Sequence, residues 1–302
     1  METTSLGKIK NSPKFLRYYN LCFSFLSYLR DKEDLKIFVE GFDLVEDDYT
    51  FFVKPYMHRW KPEYKKARIA KLYHLDDWAK LNPLPLTMLS FTTYHDSAFA
   101  RRTIGKGYTI EQSWDVLKAG FRKSTVLIRN KIRKGVPCLW IVEPQPESGY
   151  PHIHAGFFTR FDDYEQERLQ NHWSNGIQAG DFKHGLEFSF DRTHEEGDIS
   201  SMRNYLMKYM AKTFIETIPD WTPQELVFNA IAWHEGYRLF GCSNDLAKIM
   251  GRPKKDMSSF AWLGTSAVGY TLTGPVEVMI HKNPSWITSS NSFNNPHQKG
   301  MS

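Results

Sequence analysis

Two histidines separated by one residue, His152 and His154, are the pair in this sequence best spaced to grip a single metal ion. On a β-strand, residues i and i+2 project from the same face, so both imidazoles point one way while Ile153 points into the core. Glu143 closes the preceding apolar run, Cys138–Val142, and a hairpin between the two runs sets its carboxylate across from the histidines. Two imidazoles and one carboxylate, with coordination positions left open, suit Mg²⁺ or Mn²⁺ and also accept Zn²⁺. His95, His172, His184 and His194 are rival imidazole ligands. A second group lies further on, at 205–212, in the sequence YLMKYMAK. Tyr205 and Tyr209 are i and i+4 on a helical stretch and stack on one face, with Lys208 beside them and Lys212 one turn on. A phenol has a pKa near ~10, and a neighbouring ammonium lowers it, so this arrangement provides an oxygen nucleophile for covalent catalysis. The bland alternative is an amphipathic helix with Leu206, Met207 and Met210 inward and Tyr and Lys in water.

The elements that must position these groups follow from local pattern. Leu86–Thr93 is an apolar, β-prone run after the breaker NPLP at 82–85, and its alternating Ser and Thr suggest a polar edge facing a ligand. Glu111–Lys134 carries apolar residues at helical spacing and ends at Gly135–Pro137. Cys138–Val142 and His152–Thr159 read as strands joined by the turn-rich EPQPESGY. Asp162–Trp173 reads as a helix, Leu186–Phe190 as a strand and Ser200–Phe214 as a helix. Consecutive strands with a short connection pair antiparallel, so the class is α+β. Thr222-Pro-Gln-Glu225 is a capping box with Pro at N1, opening a helix to about Trp233. Ser243–Met250 is a further short helix. Two β-prone stretches, 259–273 and 276–281, are set to pair as a hairpin.

Composition bounds the function classes. The chain has 302 residues, 41% hydrophobic and 24% charged, which excludes wholesale disorder and a multi-span membrane protein. Lys and Arg number 39 against 34 Asp and Glu, a net charge of +5, and this permits nucleic-acid binding without establishing it. The excess is concentrated at 101–134, with ten basic residues against Glu111 and Asp115, and at 54–71, with seven against Glu63. Either stretch is a solvated helix face or a phosphate-tracking surface. Three scattered cysteines favour a reducing compartment over a disulfide framework. The N-terminus lacks an apolar signal segment, and the aromatic run 21–29 is about half the ~20 residues that span a bilayer, so a cytoplasmic location is expected. No GxxxxGK[ST] loop occurs, so a fused ATPase is not expected, and unwinding would come from a host partner.

Three of these segments resemble motifs of one family. PHIHAGF at 151–157 is similar to the metal motif of HUH endonucleases, YLMKYMAK at 205–212 to the two-tyrosine form of their nucleophile motif, and LTMLSFTT at 86–93 to the first motif of rolling-circle replication initiators of the bacteriophage gene A type. The three stand in the family's order and cover 86–215, under half of the chain. The resemblance implies a central antiparallel sheet flanked by helices, with the metal on the sheet and the tyrosine helix packed across it. It implies that His152, His154 and Glu143 hold Mg²⁺ or Mn²⁺, that Tyr205 and Tyr209 are nucleophiles, and that Lys208 assists them. The implied activity is nicking and rejoining of single-stranded DNA at a viral or plasmid origin through a 5′-phosphotyrosine, with host helicase and polymerase as partners. The family's third ligand varies, so Glu143 rests on hairpin geometry. Both tyrosines head a Tyr-x-x-Lys pattern.

Other readings stay open. A transposase or relaxase would keep the fold, although paired tyrosines resemble the replication initiators more. A metallohydrolase unrelated to DNA lacks an HExxH or PCxxC signature. A non-catalytic nucleic-acid-binding protein explains the basic segments but not the paired tyrosines. By sequence, the chain divides into an N-terminal extension (1–80), an endonuclease domain (81–218), a C-terminal extension (219–282) and a disordered tail (283–302). Residues 232–255, with the helix before them, are a candidate helix-turn-helix-like origin reader, or else complete the core.

Overall fold

The computed structural model describes residues 4–33, 36–43, 48–55, 58–81, 84–95, 105, 107–190, 221–249, 260–268, 270–271, 274–275 and 279–281. Along the chain the helices are α1 (Thr4–Lys10), α2 (Tyr19–Glu33), α3 (Pro62–Leu81), α4 (Ile110–Leu127), α5 (Asp163–Asn171), α6 (Pro223–His234) and α7 (Asn244–Ile249). The strands are β1 (Lys36–Asp43), β2 (Asp48–Pro55), β3 (Thr87–Phe91), β4 (Cys138–Pro144), β5 (Pro151–Phe157), β6 (Leu186–Phe190), β7 (Phe240–Cys242), β8 (Phe260–Val268), β9 (Tyr270–Thr271), β10 (Gly274–Pro275) and β11 (Met279–His281). The expected helix over Ser200–Phe214 and the tail from 283 lie outside the described residues.

Two compact units share the chain: Met1–Cys22 with Arg59–Gly251, and Phe23–His58 with Arg252–Ser302. This partition differs from four consecutive segments. In the second unit β1 pairs antiparallel with both β2 and β8, so strands from opposite ends of the chain share one sheet, ordered β11-β8-β1-β2. The expected hairpin appears as β8 with β11, Met279 opposite Ala267.

The first unit is α+β. Its five-stranded sheet runs β6-β3-β5-β4-β7, every neighbour antiparallel, with helices flanking it. Side chains alternate between the two faces. One face carries Leu89, Phe91, Ile153, Ala155 and Phe157, all buried. Helix α4 packs there: the Phe121 ring meets Phe91 at 5.2 Å and Trp140 at 5.7 Å, and Trp173 meets Phe91 at 5.0 Å. The other face carries Met88, Leu139 and Ile141, also buried, and shares its register with Glu143, His152 and His154.

Local chemistry sets the helix limits. Thr109 caps α4 in a reciprocal box with Gln112, and Asp162 caps α5 the same way with Glu165. The helical pattern read over Glu111–Lys134 stops being α at Leu127, where a wider π turn, Ile128–Ile132, closes with Arg133 N–H donating to Ile128 O at 2.7 Å. A second π turn, His172–Gly176, ends α5 and carries the fully buried Trp173. Helix α6 begins at the expected Thr222–Glu225 box. Its residues Leu226–Ala232 are all buried, Phe228 lies against Trp114 at 4.9 Å, and Trp60 Nε1–H donates to Asn229 Oδ1 at 2.8 Å. α6 therefore completes the core. The strand β7, which had no clear local signal, lies between α6 and α7 and extends the sheet beside β4, in place of a helix-turn-helix turn.

Glycine substitutions separate packing from propensity. Alanine favours a helix interior by about 1 kcal/mol over glycine. A Cβ on Gly7, in α1, meets nothing within 4 Å, so Gly7→Ala is expected to stabilise the protein. A Cβ on Gly120 would lie 2.7 Å from Trp173 Cζ3, so Gly120→Ala is expected to cost about 1–3 kcal/mol despite the better propensity. Midpoints of denaturant unfolding should move in opposite directions.

Candidate metal centre

The centre is built on the β4–β5 hairpin. Its register places Glu143 directly opposite His152, and Ile141 opposite His154. A slip of one residue would turn the carboxylate to the other face, so the connection must fix the register. It does so with a closed turn: Gln145 N–H donates to Tyr150 O and Gly149 N–H to Gln145 O, both at 2.8 Å. Gly149 has φ +75°, and its Cβ position would crowd Gln224, so a side chain there is excluded on two counts.

Three ligand atoms converge. His152 Nε2 lies 2.9 Å from Glu143 Oε1, His154 Nε2 lies 3.1 Å from the same oxygen, and the two nitrogens are 2.7 Å apart. At that separation at most one proton sits between the rings, so at least one nitrogen turns a lone pair toward the centre. All three residues are buried, with exposures of 3%, 9% and 7% for Glu143, His152 and His154. Burial works to raise the carboxyl pKa. The His152 and His154 rings, when protonated, overcome it by hydrogen bonding and charge and hold Glu143 at about 2.

The donor set fits a divalent cation. Glu143 Oε2 is buried and has no hydrogen-bond partner among the described residues, a costly state for a carboxylate oxygen unless something else satisfies the site. Separations of 2.7–3.1 Å bring the three donor atoms close enough together for one ion to reach them all. Among the described residues Glu143, His152 and His154 are the group that could hold a metal ion.

Ser90, on β3 opposite His154, completes the arrangement. Its Oγ hydrogen-bonds His154 Nδ1 at 2.9 Å. With Nδ1–H donating to that oxygen, the Nε2 lone pair faces the centre, the usual means of fixing a ligating imidazole. The sequence suggested a polar edge on this strand but not this role for Ser90; only the cross-strand register picks it out.

The rival histidines go elsewhere. His95 stacks on Tyr150 with ring centroids 4.1 Å apart, and Tyr150 O–H donates to Tyr108 O at 2.8 Å. Its Nε2 is buried and has no hydrogen-bond partner among the described residues. Burial pushes its pKa down to about 4, with Lys14 and His152 adding to the effect. His172 lies on the π turn after α5, and His184 is exposed beside Glu187. His194, Tyr205, Lys208 and Tyr209 lie outside the described residues. No described helix is long and apolar enough to cross a membrane.

No family model matches the chain, and no solved structure matches it. The chain is similar to the "Uncharacterized 36 kDa protein" of Halobacterium salinarum, with 24% identity over 250 residues that cover 76% of each chain.

Two predictions follow from this geometry. Ser90→Ala should weaken Mn²⁺ binding about tenfold by calorimetric titration, and His154→Ala should abolish it, both with the fold retained by circular dichroism. His95 should also leave a mark on stability. Between its folded pKa of about 4 and the ordinary imidazole value near ~6.5, the unfolded chain binds a proton that the folded chain refuses. Stability therefore falls as pH drops through that window, and denaturation midpoints of His95→Gln should show a shallower fall.

Proposed function

We propose that the protein is a metal-dependent endonuclease and strand transferase that nicks and rejoins single-stranded DNA through a tyrosine, as in rolling-circle replication initiators. The observation that carries this reading is the buried Glu143–His152–His154 cluster on the central strands of an antiparallel sheet. It joins the sequence resemblance of 86–93, 151–157 and 205–212 to the HUH family. Mg²⁺ or Mn²⁺ suits a site with one carboxylate, two imidazoles and open positions. Held there, such an ion supplies Lewis-acid stabilisation of the charge developing on a phosphate.

The chain's own residues do the rest. Glu143 stays ionised at any physiological pH and, with the two imidazoles, keeps the ion fixed. Ser90 holds the His154 ring in its ligating orientation. A phenol oxygen of Tyr205 or Tyr209 attacks phosphorus, and the bond from phosphorus to the 3′ oxygen breaks. The phenol proton goes to solvent, the departing oxygen takes one up, and the products are a free 3′-OH and a 5′-phosphotyrosine. Lys208 lowers the phenol pKa or meets the phosphate. The phosphotyrosine retains the phosphodiester energy, so a 3′-OH can reverse the step without ATP. With two tyrosines, one holds a 5′ end while the other cuts.

The test uses single-stranded oligonucleotides tiled across the DNA that carries the gene, labelled at either end, with Mn²⁺. The expected product is a denaturation-resistant protein–DNA band bearing only the 3′ label. It should vanish with EDTA, in Glu143→Ala and in the double variant Tyr205→Phe/Tyr209→Phe, and the single variants should assign the two tyrosines. Metal binding without any adduct across the tiling would overturn the reading.

A further inference from the structure

The part of the basic run that lies on α4 and the π turn after it has a definite position in the fold. Helix α4 packs on the sheet face of Phe91 and Ile153, and His152 and His154 project from the opposite face. The outer surface of α4 is thus separated from the metal centre by the full thickness of the sheet. Exposed on that surface are Lys118, Arg122 and Lys123, followed by Lys131 in the π turn and Lys134 just after it.

The charge there is unbalanced in a particular way. Both acids of α4 are already engaged: Glu111 accepts from Tyr18 O–H at 2.7 Å and Asp115 from Tyr237 O–H at 2.6 Å. Arg129 and Arg133 are paired with Asp245 and Glu165. Lys118 lies over the Tyr237 ring at 4.9 Å, and none of the five exposed cations has an acidic partner among the described residues. Helix-dipole stabilisation does not account for Lys118, Arg122 and Lys123: it falls off within the last turn, and these residues precede the last turn of α4, which has no basic residue. From Lys118 to Leu127, the end of α4, the helical rise is about 14 Å, roughly four base pairs of duplex. The exposed side of α4 carries no aromatic side chain, only Val126 at 52% exposure, so bases have nothing to stack on.

We propose that this face of α4 and its π turn is a docking surface for the phosphate backbone of double-stranded DNA, distinct from the strand handled at the metal centre. The inference rests on the nuclease reading above and adds to it a second DNA contact, independent of sequence, that holds duplex flanking the nick. Charge complementarity and the absence of stacking groups select duplex over single strand.

The test measures binding of the full-length protein to a fluorescent 20-base-pair duplex of arbitrary sequence between 50 and 200 mM salt. Removing three phosphate contacts should reduce the slope of log K against log salt by up to about 2.7. The variant Lys118→Gln/Arg122→Gln/Lys123→Gln should show that loss, and Lys131→Gln/Lys134→Gln a smaller one. The charge-preserving Lys118→Arg/Arg122→Lys/Lys123→Arg should keep the wild-type slope, which separates charge from folding. Mn²⁺ binding and adduct formation on a short single strand should be unchanged in all three. Equal slopes for wild type and the Gln variants, or no duplex binding at 50 mM salt, would overturn the proposal. Missing adducts with a normal loss of slope would instead count against the nuclease reading alone.

Discussion

The convergence of one carboxylate oxygen and two imidazole nitrogens inside a buried sheet is the constraint on which the first unit turns. Two imidazoles and a carboxylate gathered within 3.1 Å, with Glu143 only 3% exposed, form an arrangement that a sheet would not hold by apolar packing alone. It persists because each member is fixed from outside. The Gly149 turn locks the register, Ser90 orients His154, and the imidazoles keep Glu143 ionised against the penalty of burial. Glu143 Oε2 stays without a hydrogen-bond partner among the described residues, and a divalent cation at the cluster would meet the carboxylate's need for a counter-charge.

The sheet also acts as a partition. Strand alternation sends His152 and His154 to one side and Ile153 and Ala155 to the other, so ligand chemistry and the aromatic core never compete for the same positions. On the core side Phe91, Phe121, Trp140 and Trp173 interlock, and α4 is held so closely that Gly120 has no room for a methyl group. A helix anchored in this way presents a fixed outer surface. Its engaged acids and unengaged cations make that surface positive, and on the reading proposed here a nicked strand and its flanking duplex are held on opposite sides of one layer.

Much of this was legible in the sequence. Alternation in PHIHAGF and the turn-rich link to Glu143 gave the hairpin and brought the three candidate ligands together, because cross-strand pairing across a short turn is a local property. The α+β class, the α4, α5 and α6 helices and the capping box at Thr222 were readable for the same reason. Ser90 as the partner of His154, His95 as a neighbour stacked on Tyr150, and β7 as an edge strand were not. Each depends on which distant segments become neighbours, and a five-residue strand or a single serine carries no mark of its partner.

The sequence by itself therefore determined the donor types, their spacing along β5 and the helices that frame them, since these follow from backbone periodicity and side-chain chemistry within a few residues. Only the tertiary structure decided which strands pair with β4 and β5, which face each helix covers, and that the ends of the chain meet as β1 and β8. Those choices are made by burial and register between segments far apart in the chain, where no local rule operates.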